Sequence, residues 1–211
     1  ASKAPARDAA DRALRTIVLE GFVDSGVGLP PAKRARAKAI TDRLAALGQA
    51  FDQRLRDDAT KVAFRPDELA GVPEAVWRDK PRDAEGRVLL GLDTPTYVPV
   101  LERADRAATR ERIWRAKLAE GGEPNLRTLD EIATLRREYA GLFGFASYAD
   151  FVLRRRMATD EATVTRFLAS VKGAVVEREL RDLAELRAEK ARHLGSDPAA
   201  TALDRWDVGY Y

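Results

Sequence analysis

His193, in the run HLGS, is the one histidine among 211 residues, and there is no cysteine. The nitrogen and sulfur ligands that zinc prefers are therefore nearly or entirely missing, and disulfides and thiol chemistry are excluded. His193 falls in the last turn of what reads as a long helix, with Gly195 just beyond. The negative end of a helix favours an imidazolium there, and that role is preferred to metal ligation. Two charged stretches remain. Glu177, Glu179, Asp182, Glu185 and Glu189 alternate with Arg178, Arg181, Arg187 and Lys190. This is the pattern of a solvated helix face laced by weak i,i+4 pairs, not of a metal or substrate surface. Arg154, Arg155 and Arg156 carry guanidinium forks that suit a peptide carboxylate. Neighbours on a helix point about 100° apart, so all three cannot face one ligand, and ion pairs to adjacent helices are expected. Gly21, Gly26 and Gly28 follow no strand and are too loosely spaced for a phosphate loop. No catalytic residue, metal ligand or substrate-binding residue is assigned.

Helical periodicity dominates the elements that would position these groups. A first helix is expected over Ala6 to Leu19, with Leu14, Ile17 and Val18 on one face and Gly21, Gly26, Gly28 and Pro30-Pro31 breaking it. A second, with Pro31 in its first turn, carries Ile40, Leu44, Leu47, Phe51 and Leu55 as an apolar stripe, opposite Arg36, Lys38, Arg43 and Arg54. Between Lys61 and Leu92, Val62-Ala63-Phe64 and Arg87 to Leu92 suit two short strands that must lean on helices. Thr94 is the expected N-cap of a helix starting at Pro95, and Asp105 or Thr109 of the next, which carries Ile113, Trp114 and Leu118 and ends at Gly121-Gly122. A helix over Asn125 to Leu142 aligns Leu129, Ile132, Leu135, Tyr139 and Leu142, and Gly144 stops it. Ser147 with Asp150 reads as a capping box, and Thr159 as the cap of a helix reaching His193, on the order of 50 Å long. Trp77, Trp114, Tyr139, Phe143 and Phe151 are most simply core. The fold class is mainly α: a multi-helix array of antiparallel amphipathic helices with one small β-hairpin or ribbon.

Composition narrows the partners. Hydrophobic residues make up 45% and charged residues 34%, with 37 Lys and Arg against 34 Asp and Glu, a net charge of +3. So even a balance gives no basic field for nucleic acid. No apolar run approaches the ~20 residues of a membrane span, and the opening ASKAPARDAADRALR has no apolar signal region. Neither nucleic acid nor membrane is an expected partner. A cytoplasm and a periplasm fit the absence of cysteine equally.

Three stretches carry a family resemblance: Asn125 to Leu168, Leu44 to Phe64 (LAALGQAFDQRLRDDATKVAF) and the terminal WDVGYY, Trp206 to Tyr211. In order and spacing they resemble the thimet-oligopeptidase-like and dipeptidyl carboxypeptidase-like zinc metallopeptidases, the M3 family. The resemblance implies a mostly helical, two-lobed peptidase with a deep channel admitting short peptides. Its zinc would be held by a His-Glu-x-x-His helix and a further glutamate, with a metal-polarised water as nucleophile. This sequence contains no such motif. Residues 1–211 are therefore expected to be a single helical region, a fragment of that larger enzyme, with 61–92 a ribbon-containing insertion. The chain would supply channel wall, hold no cofactor and lack activity by itself. Zinc would belong to the parent protein. The partners would be the missing catalytic portion and, through it, short peptides. Trp206, Tyr210 and Tyr211 are expected to leave an exposed apolar patch, and the chain to self-associate. The alternative is a free-standing, non-catalytic helical binding module.

Overall fold

A computed structural model describes residues 7–211. Among them are eight helices and one two-stranded sheet, the mainly helical fold with a single small ribbon that the periodicity predicts. None of these helices is long and apolar enough to cross a membrane. The chain forms two compact units, one from Ala1–Gln53 and Glu123–Arg166, the other from Arg54–Gly122 and Phe167–Tyr211.

The first unit contains α1 (Ala9–Asp24), most of α2 (Pro31–Arg56), α6 (Gly122–Leu142) from Glu123 on, and α7 (Tyr148–Leu153). The α2 stripe meets α6 and α7 in a core of Ala37, Ile40, Tyr139, Ala140 and Phe151. The Tyr139 and Phe151 rings meet edge-on at 5.5 Å, a favoured aromatic arrangement. Arg36 forks onto Glu138 at 2.5 and 2.6 Å, and Arg43 onto Glu131 at 2.7 and 2.9 Å. Both pairs repeat at heptad spacing with numbers running in opposite directions, so α2 and α6 lie antiparallel. Gly21 does not break α1, which runs on to Asp24; an interior glycine costs only about 1 kcal/mol. The stop is Gly26, whose φ of +86° few side chains tolerate. Ala6, the expected first residue of this helix, lies outside the described residues. The expected α1 stripe is not core: Leu14, Ile17 and Val18 are all exposed.

The second unit is built around β1 (Val62–Phe64) and β2 (Val88–Leu90), antiparallel with Ala63 opposite Leu89. A 3-10 turn (Pro66–Leu69) and a one-turn α3 (Glu74–Trp77) connect the strands; α4 (Thr94–Arg103) and α5 (Ala107–Leu118) cover them. Phe64, Leu69, Val88, Leu90, Val100 and Ile113 are buried together. Two caps differ from expectation. The helix after the ribbon is capped by Asp93, whose carboxylate accepts the Thr96 hydroxyl at 2.8 Å, with Pro95 second in the helix. The next is preceded by Arg106, because Thr109 donates its hydroxyl to the Glu68 carbonyl instead, at 2.8 Å. Gly71 is required: at φ +85° a Cβ would collide with the Arg103 carbonyl.

The last helix, α8 (Glu161–Leu194), contributes residues to both units. Its cap is Asp160, which accepts the Thr163 N–H at 2.7 Å, and not Thr159, which sits at φ +62°. Of its 34 residues only Lys190 and Ala191 are buried.

Candidate functional site

The most enclosed polar centre lies in the second unit. Arg110 is three residues before Ile113 on α5, so it shares the face that enters the core. It is 1% exposed. Its guanidinium donates to the carbonyls of Ala104 at 2.7 Å and Asp105 at 3.1 Å, to that of Trp206 at 3.2 Å, and to the Asp207 carboxylate at 2.7 Å. From α8, Lys190 donates to the other Asp207 oxygen at 2.6 Å and to the Ala202 carbonyl at 2.7 Å. Asp207 is 0% exposed and also accepts the Asp204 N–H at 3.0 Å. Burial by itself would push the Asp207 carboxyl up. Hydrogen bonds from Lys190, Arg110 and the Asp204 N–H outweigh it and hold the group below its ordinary value. The Tyr210 ring lies 4.0 Å under the Arg110 guanidinium.

This centre corrects two expectations and extends a third. Lys190 is not part of a solvated face, although its neighbours are: Arg178 and Asp182 pair at 2.6 Å on the surface. Trp206, Tyr210 and Tyr211 do not form a bare apolar patch. Trp206 meets Trp114 edge-on at 5.5 Å, and Asp207 draws the segment onto two cations. His193 does sit in the last turn of α8, but it is also an aromatic partner, stacked on Tyr210 and 3.0 Å from the Tyr211 hydroxyl through Nδ1.

In the first unit, the helix that carries Phe151 ends at Leu153, and Arg154 is its C-cap. Long guanidinium arms can still converge on one carboxylate that lies between them. Arg154 and Arg155 therefore both reach Asp24, Arg155 at 2.8 and 2.9 Å, and Arg155 adds Glu20 at 2.6 Å. These are the expected ion pairs to another helix, but on one shared carboxylate. Tyr139 donates its hydroxyl to the Asp24 carbonyl at 2.5 Å; burial, then the Asp24 charge, raise its phenol above the usual value.

Arg110 and Asp207 were the residues sequence reasoning passed over. The available signals were an arginine on the Ile113 face of a helix and a carboxylate set between aromatic residues.

Both centres spend their carboxylates on internal cations. Among the described residues, no group of three or more His, Cys, Asp or Glu is placed to hold a metal ion, and no buried side-chain nitrogen or oxygen lacks a partner. A zinc ion does not fit the side chains of the described residues.

Residues 100–211 match the sequence model of Peptidase family M3. The chain belongs to that family. It is 33% identical to Oligopeptidase A of Escherichia coli (strain K12) over 220 aligned positions, covering 97% of this chain and 31% of the relative. Saccharolysin of Saccharomyces cerevisiae is 28% identical, over 90% of this chain and 28% of its own length. A probable thimet oligopeptidase of Arabidopsis thaliana is 26% identical, over 86% of this chain and 26% of its own length. The chain thus spans about three tenths of the length of the curated relatives it matches.

Proposed function

We propose that this chain is a helical channel-wall segment of a larger, two-lobed, zinc-dependent oligopeptidase that hydrolyses short peptides. The zinc and the catalytic groups come from sequence outside it. The observation that carries the reading is the collinear likeness to Oligopeptidase A across 97% of this chain but only 31% of the relative. Two structural facts support it. The polar centres are internally paired, as scaffold requires. Large apolar side chains on α1 and α8, among them Phe22, Phe167, Leu168 and Val175, are exposed, and faces of this kind mark surfaces that other protein covers.

Reading the coding sequence beyond Tyr211 tests the proposal. A His-Glu-x-x-His motif is expected within the following few hundred codons. The protein expressed through that motif is expected to cleave short unstructured peptides and to lose activity to a chelator. A stop codon directly after Tyr211 would contradict the proposal and leave a free-standing module.

A further inference from the structure

The last eight residues, Asp204–Tyr211, are attached to the second unit in an unusual way. The backbone bonds that their N–H groups donate close within the segment: Asp207 to Asp204, and Tyr210 and Tyr211 to Asp207, each at 3.0 Å. Nothing in that pattern ties it to a helix or strand. What holds it is side-chain chemistry centred on one carboxylate. Arg110 takes one Asp207 oxygen and Lys190 the other, at 2.7 and 2.6 Å. The two cations have other supports of their own: Arg110 donates to the Ala104 and Asp105 carbonyls and Lys190 to the Ala202 carbonyl, all outside the segment. Two buried cations held in place by backbone carbonyls, with a gap between them that one carboxylate fills, form a receptor geometry. The aromatic contacts follow from the docking, Trp206 on Trp114 and Tyr211 on His193.

We propose that Arg110 and Lys190 form a carboxylate receptor that the segment Asp204–Tyr211 occupies in cis through Asp207, so that the segment binds as a ligand and is not part of the core. The chemical class the receptor takes is a small carboxylate. Asp207 fills it because the chain delivers that group at high effective concentration. Removing the carboxylate leaves two buried cations with neutral carbonyls, the Tyr210 ring beneath Arg110, and the more distant Asp204, 3.7 Å from Lys190, as weaker counterweights. Docking then fails locally, while Phe64, Val88, Leu90 and Ile113 keep their contacts.

The experiment is amide hydrogen exchange on the whole 211-residue chain. In Asp207→Ala, amides of Asp204–Tyr211 are expected to exchange at least tenfold faster than in the unsubstituted chain, with those of Val88, Leu90 and Ile113 unchanged. Sodium formate at tens of millimolar is expected to restore most of the lost protection, where sodium chloride at equal ionic strength does not. Asp207→Asn, whose amide fills the gap, is expected to release the segment and to ignore formate. Equal acceleration of segment and core amides overturns the proposal, and so does failure of formate to exceed chloride. If Asp207→Ala does not fold, Lys190→Met is read by the same selectivity criterion, and failure of both variants to fold places the segment in the core and overturns the proposal as well.

Discussion

Asp24 and Asp207 are each a carboxylate shared by two cations, yet they sit in opposite surroundings. Asp24 retains 28% of its side-chain exposure and is met by Arg154 and Arg155 just past a helix end. Asp207 has none, and its partners Arg110 and Lys190 are themselves almost fully enclosed. The same pairing chemistry therefore does different things. Near water, an ion pair gains little, because solvent and salt already stabilise each charge. In a dry site the pair cannot be halved without stranding a charge, so it acts as an all-or-none fastening. Residue type alone does not distinguish the two; burial does.

Four outcomes break or sharpen that contrast. The largest effects are expected from the apolar core of the unit that holds each centre. Phe64→Ala in the second unit and Phe151→Ala in the first should each cost about 3–5 kcal/mol in urea unfolding, since both side chains are buried and leave cavities. Next comes acid. Asp207 has a folded pKa below its ordinary value of ~3.9. Its contribution is thus fully present above the unfolded pKa and is lost as pH falls through the depressed folded one. Fluorescence of Trp206 against Trp114 should stay constant from neutral pH down to the ordinary carboxylate range and change only below it. The charged and titratable groups in and around the segment include Arg110, Arg115, Lys190, Glu102, Asp105, Asp204, Arg205, Tyr210, Tyr211 and His193. A transition centred well above the carboxylate range would contradict the assignment to Asp207. Ser147→Ala removes an N-cap that accepts the Asp150 N–H at 3.0 Å, and a loss of about 1 kcal/mol is expected. The smallest effect should come from Asp24→Asn: a slight drop in the urea midpoint that disappears in high salt. A salt-insensitive loss as large as that of Phe151→Ala would place Asp24 in the same category as Asp207.

Much of the framework was legible in the sequence because it follows from periodicity and local stereochemistry. The α2 stripe of Ile40, Leu44 and Leu47, the strands at Val62 and Val88, the stop at Gly144 and the Ser147 cap depend on neighbours within a few residues. The misplaced caps at Thr94 and Thr159 are shifts of a single residue onto an adjacent aspartate, Asp93 accepting the Thr96 hydroxyl and Asp160 the Thr163 N–H. What remained hidden was set by distant partners. Lys190 looks like its solvated neighbours until Asp207, seventeen residues on, folds back over it. Arg154 and Arg155 look splayed until Asp24, 130 residues before Arg154, is found between them. The face of α1 carrying Leu14, Ile17 and Val18 reads as an apolar stripe yet is exposed, since periodicity shows that a face is apolar but not what covers it.

We propose that these helices are scaffold for a metal centre held elsewhere. The most direct test is metal analysis of the isolated 211-residue chain, dialysed against zinc and then against buffer, with a short fluorogenic peptide assayed in parallel. The account predicts far less than one zinc per chain and no cleavage above background. About one tightly held zinc per chain, together with peptide hydrolysis that a chelator abolishes, would contradict it.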